Sequence, residues 1–224
     1  IYLTSIILII ASIFGVSRLK VENSFINYFD KDTEIYKGMK NIDEKLGGTT
    51  PLEIIIKYKN KNSIKNSDNN FLGEATKEDN FLGEDNSEND NSKYWFTRDK
   101  IDKIVSIHRY LEEQPEIGKV LSFSSILDIA ESLNNNKKLG SLEMGVLYQK
   151  LPQNIKEQII KPYISIKDNE ARISMRILDS KKDLRRKELI DRINNVMQTK
   201  FNLKREDYKL AGVLIIFNNL LQSL

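Results

Sequence analysis

One histidine, no cysteine and a scatter of carboxylates bound the chemistry open to this chain. His108 lies beside Arg109 in a stretch where Ile101, Ile104, Val105, Ile107 and Leu111 recur at helical spacing. With no Cys or second His to share a metal, a structural role outweighs a catalytic one. Asp43 and Glu44 are adjacent, and neighbours on a helix point to different sides, so they do not make an acid–base pair. Gly47-Gly48 lacks the surrounding pattern of a dinucleotide or phosphate loop and reads as a helix stop. The acidic near-repeat FLGEATKEDN at 71–80 and FLGEDNSEND at 81–90 carries carboxylates and Asn that could take calcium, but not at EF-hand spacing. No enzyme activity is therefore expected, no catalytic, cofactor-binding or metal residue is assigned, and substrate-binding residues cannot be named.

The elements around these residues say more. The 224 residues, 40% hydrophobic and 30% charged, suffice for one sizeable core or two small ones but not for a polytopic transporter. A net charge of +3, with Lys and Arg interspersed among Asp and Glu, excludes a nucleic-acid stripe. The opening run IYLTSIILIIASIFGV is apolar and uncharged up to Arg18. It is expected to be part of a transmembrane helix over 1–17, with the turn it lacks lying upstream of Ile1. A signal peptide would need a basic start and a small-residue cleavage site, and neither is visible. The closing GVLIIFNNLLQSL, residues 212–224, is apolar and helical in pattern, interrupted by Asn218, Asn219 and Gln222, and is expected to approach a further span.

Between the two ends, residues 18–211 read as one α+β domain. Asp32 or Thr33 can cap a helix with apolar positions Ile35, Met39, Ile42 and Leu46. The run after Pro51 predicts a strand, with Ile54, Ile55 and Ile56 pointing to burial on both faces. Residues 60–93 turn abruptly to Asn, Asp, Glu, Lys and Ser and predict a mobile, peripheral insertion. A helix over 98–113, a strand over 117–123, a helical excursion over 124–162 and a hairpin turning at Asp168 and Asn169 follow. Residues 183–200 predict the longest helix, with Leu184, Leu189, Ile193, Val196 and Met197 inside and Arg185, Arg186 and Lys187 solvated. With a last strand at 207–211, and the insertion and excursion set aside, this is the split β-α-β, ferredoxin-like order. Its sheet is expected to give one face to the helices and leave the other for the excursion or a neighbouring domain, apolar if it lines a path for lipid-like cargo.

The runs ENSFINYFDKDTEIYKGMKNIDEKLGGTTPLEIII, SFSSILDIA, KLPQNIKEQIIKPYIS with ARISMRILDS, and LAGVLIIFNNLLQSL together resemble exporters of the resistance-nodulation-division (RND) superfamily, of the hydrophobe/amphiphile efflux type, with MmpL-like proteins as more distant relatives. The resemblance covers the chain outside 60–93 and is nearer the periplasmic loop of the second half than of the first. It implies a porter domain with a helical excursion, in the inner (cytoplasmic) membrane with its loop in the periplasm. It also implies proton-driven efflux of lipid-like or amphiphilic substrates and no cofactor. The implied partners are the lipid bilayer, a hydrophobic or amphiphilic substrate, the rest of the transporter chain, and a homo-oligomer or periplasmic accessory protein. Proton-coupling residues would sit in membrane helices outside this chain. Arg18 and Lys20, just past the first span, run against the positive-inside rule, which weakens for long translocated loops. The competing reading is a membrane-anchored extracytoplasmic binding or assembly domain without transport. By the resemblance, an apolar cleft between the ferredoxin-like core and the excursion at 124–162 is the expected lining of the substrate path.

Overall fold

The computed structural model describes Ser5, Ile9, Ile10, Ser12, Phe14 and residues 24–59, 95–181 and 183–223. The insertion expected over 60–93 lies outside the described residues, as does most of 1–17. The five described positions in that first stretch are helical and exposed. Among the described residues, no helix is long and apolar enough to cross a membrane.

The elements are α1 (Glu34–Lys45), β1 (Thr50–Lys57), α2 (Arg98–Glu112), β2 (Ile117–Leu121), α3 (Phe123–Leu133), α4 (Ser141–Lys150), α5 (Gln153–Ile155), β3 (Ile164–Ser165), β4 (Glu170–Ile177), α6 (Arg186–Thr199), β5 (Tyr208–Ala211) and α7 (Val213–Gln222). A single π-helical turn, Lys156–Ile160, continues α5. All strand pairs are antiparallel, in the order β2-β4-β1-β5, and β3 also pairs with β4. The class is α+β.

Period-two alternation decides which side of the sheet is buried. Leu52, Ile54 and Ile56 of β1 stand opposite Met175, Ile173 and Ala171 of β4, all on the inner face and all closed to solvent. Ile101, Ile104 and Leu111 of α2 and Leu189, Ile193 and Met197 of α6 complete that core. Each such Ile or Leu contributes about 1.5–3 kcal/mol by its burial. Burial on both faces, expected from the Ile54-Ile55-Ile56 run, is not found, because Ile55 is only half-buried on the outer face. Charge occupies most of that outer face. Lys57 pairs with Glu170 at 2.7 Å and Arg172 with Glu53 at 3.2 Å, while Lys119, Arg176 and Lys209 are exposed. An apolar path along the free face of the sheet is therefore ruled out.

The helical excursion leaves from one lane of the sheet. β2 pairs with residues 174–177 of β4, and β3 pairs with Ala171 and Glu170. The opposite edge of β4 is already taken by β1, so β2 and β3 lie end to end along one edge with α3, α4 and α5 emerging between them.

Three further expectations are corrected. α1 is capped by Thr33, whose hydroxyl accepts from the Tyr36 amide at 3.2 Å, and it stops where Gly47 and Gly48 take positive φ. Yet Ile35, Ile42 and Leu46 are exposed, and the residue α1 buries is Asp43. Arg186, placed on the solvated side of the helix expected to be the longest, is 4% exposed, and that helix, at 14 residues, is shorter than α2 at 15. Arg186 pairs with Asp179 at the N-terminus of α6, where the helix dipole would otherwise oppose a cation.

These two acids form the polar base of the fold. Asp43 accepts from the Thr49 amide and hydroxyl at 2.8 and 2.7 Å and from the amides of Asp179 and Ser180 at 3.0 and 2.8 Å. Asp179 accepts from the Ser24 hydroxyl at 2.7 Å and from Arg186, whose guanidinium lies 5.7 Å from the Phe217 ring of α7. Close approach of glycines adds to the tie, since a Cβ on Gly118 would lie 2.5 Å from the Gly47 carbonyl.

Candidate functional site: an apolar cleft under the helical excursion

The excursion encloses a cleft against the core. Its walls are Ile126, Leu127 and Ala130 from α3, Met144, Leu147 and Tyr148 from α4, and Ile160 from the π turn, with Phe96 and Phe123 as its floor. Its volume is about 350 Å³ with the open mouth included. The lining is almost wholly apolar. Such a space attracts an apolar group through burial, and Tyr148 carries the one titratable side chain of its lining.

Each wall is fixed by a local device. α3 starts at Ser122, whose hydroxyl accepts the Ser124 amide at 3.0 Å and meets His108 Nδ1 at 2.9 Å. His108 Nε2 lies 3.1 Å from Glu112 on the same helix. Hydroxyl, imidazole and carboxylate in a row are the parts of an activated nucleophile. Here the Ser122 hydroxyl is wholly buried and already engaged as a helix cap, and the solvent-facing end of the row is Glu112. The row pins the start of α3 to α2, and every polar atom in it is satisfied when Nε2 donates to Glu112 and Nδ1 accepts from Ser122.

The loop between α3 and α4 is held by Arg98, which donates from Nη1 to the Leu139 carbonyl at 3.0 Å and from its amide to Ser141 Oγ at 2.9 Å. Glu131 accepts the Leu139 amide at 3.1 Å, and Glu143 closes the start of α4 on the Gly140 amide at 2.7 Å. The floor belongs to a chain of aromatic contacts. Tyr58 meets Trp95 at 5.9 Å, Trp95 meets Phe96 at 5.3 Å, and Phe96 meets Phe123 at 5.5 Å and Tyr148 at 4.9 Å. Lys100 lies over Tyr58 and Trp95 at 5.2 and 4.9 Å, and its partial burial lowers the ammonium pKa from the ordinary value.

The π turn places Lys156 Nζ 4.7 Å from the centre of the ring of Tyr148, which lines the cleft. Burial raises the Tyr148 phenol, and the nearby charge of Lys161 acts in the opposite direction. Glu157 pairs with Lys161 at 2.9 Å. Single π turns are rare and recur at functional sites.

Of the residues singled out by type, His108 serves the cleft only by anchoring α3. Gly47-Gly48 ends α1, and Asp43 and Glu44 are separated by burial, the first closed and the second exposed. Among the described residues, no group of three or more His, Asp or Glu is placed to hold a metal ion. The acidic repeat at 71–90 lies outside the described residues. The cleft stands where it was expected, but its lining was not legible, because Leu127, Met144 and Ile160 look like ordinary core residues in the sequence. The spacing of Lys156 from Tyr148, eight residues apart, gives no hint that a π turn stacks them.

No protein-family model, curated protein or solved structure matches the chain.

Proposed function

We propose that this chain is the porter-type domain of an RND-like exporter and that the cleft under the helical excursion forms part of the path for an apolar or amphiphilic substrate. The observation that carries the reading is the cleft itself, an almost wholly apolar space built from helices that leave and rejoin one lane of the sheet. The strand order β2-β4-β1-β5 supports a ferredoxin-like split β-α-β core, the organisation that goes with such a domain. Exposed apolar positions on the terminal segments, Ile9, Ile10 and Phe14 at one end and Val213, Ile216 and Leu220 at the other, are in keeping with a domain joined at its base to an apolar environment. The domain would lie in the periplasm, above an inner membrane that supplies the remaining spans and the proton coupling.

Filling the cleft tests this. Ala130→Phe inserts a ring between α3 and α4 at a half-buried position, at a cost of about 1–3 kcal/mol in packing. In the full-length protein it should abolish amphiphile export while the domain stays folded, and Ile55→Lys on the outer sheet face should leave export intact. Normal export by Ala130→Phe would remove the cleft from any path. Lost amphiphile binding in a full-length protein that exports nothing would instead support the alternative, a membrane-anchored binding domain.

A further inference from the structure

Resting on the cleft as a binding site, we propose that its ligand is a single-chain anionic amphiphile, an alkyl carboxylate or alkyl phosphate, with the chain between α3 and α4 and the head group on Lys156. Three observations lead there. The first is size, because about 350 Å³ with the mouth included sits at the small end of ligand clefts and suits one alkyl chain rather than paired chains. The second is polarity. The lining offers an alkyl chain burial at roughly 25 cal/mol per Å² and almost no polar surface to a head group, so the head stays outside the lining.

The third is charge. Lys156 is half-buried, held over the ring of the lining residue Tyr148, and makes no ion pair among the described residues. The carboxylate closest to it along the turn, Glu157, is already engaged by Lys161 at 2.9 Å and by Gln153 at 3.1 Å. The ammonium donates to the Gln149 carbonyl at 3.5 Å, at the limit of a hydrogen bond, which leaves donors for an incoming anion. The π turn does both jobs at once, since the same five residues, Lys156–Ile160, place Ile160 in the cleft wall and Lys156 over the Tyr148 ring.

The test uses the 224-residue chain and calorimetric titration with laurate, dodecyl phosphate and dodecanol, each below its aggregation concentration, at pH 8. Both anions should bind about tenfold more tightly than the alcohol, a preference of the size one charge-assisted hydrogen bond gives, and the preference should shrink as salt is raised. Lys156→Gln should erase the preference without weakening dodecanol, Lys156→Arg should keep it, and Ala130→Phe should weaken all three ligands. Laurate favoured over dodecyl phosphate, or the reverse, identifies the head group within the proposed class. Equal binding of laurate and dodecanol, or a preference that survives Lys156→Gln, overturns the anionic assignment while leaving the cleft reading in place. Binding of none of the three, or binding that Ala130→Phe does not touch, overturns both.

Discussion

Asp43 accepts four hydrogen bonds in a site closed to solvent, and its protonation state is set by that competition. Burial raises its carboxyl, but the bonds from Ser180, Thr49 and Asp179 outweigh burial and hold it below the ordinary carboxylate value. Because the folded value is below the unfolded one, the stabilisation is complete above about pH 4 and fades as pH falls through the folded value. Asp43→Asn should therefore lower stability at neutral pH and flatten its fall in acid, as measured by urea unfolding between pH 2 and 7. An unchanged acid slope would assign that slope to other carboxylates. Arg186→Ala should cost about 3 kcal/mol or more by leaving the Asp179 carboxylate buried and unpaired. The paired change Asp179→Asn with Arg186→Met should restore part of that loss in the same denaturation series. Neither residue was legible in the sequence. Asp43 sits where the apolar period of α1 does not point, and Arg186 opens a helix whose flanking Arg185 and Lys187 look the same by type.

Helix starts and stops were largely readable, since they depend on neighbours in sequence. Thr33, Gly47-Gly48 and Pro152 mark boundaries found in the structure. The hairpin also turns where Asn169 predicts it, in the left-handed region that Asn tolerates. Depth was less readable. The apolar stripe of α1 faces outward and the run Ile54-Ile55-Ile56 is buried on one side only, because burial is set by which helices cover the sheet and not by the strand's own composition. At this scale the Ser122 cap is the point to test. Ser122→Ala removes the acceptor for the Ser124 amide and the partner of His108, and should cost about 1 kcal/mol or more. The loss should appear as faster amide exchange at the start of α3 ahead of the strands, and uniform acceleration across the chain would show that the cap is not local. Gly118→Ala should be worse, at several kcal/mol, since its Cβ meets backbone on both the carbon and the oxygen of Gly47 at 2.5 Å and nothing there is a flexible side-chain end.

Among the described residues, the charged sheet face and the apolar cleft lie apart. Ion pairs run over the outer sheet face, and the apolar cleft lies beneath the excursion on the flank where β2 hands over to β3. Ile55→Lys should then change stability by no more than about 0.5 kcal/mol in thermal unfolding, the scale of ordinary surface changes. A larger loss would mean that this face is covered. The base behaves differently under load. Ser24 near the start of the domain and Arg186, which lies beneath Phe217 of the last helix, both close on the one Asp179 carboxylate. Tension applied to either end of the described domain is thus delivered to the same side chain, which sits at the end of β4 and shares its backbone amide with Asp43. A displacement of either end would act on one knot joining the entering segment, the end of β4 and the departing helix.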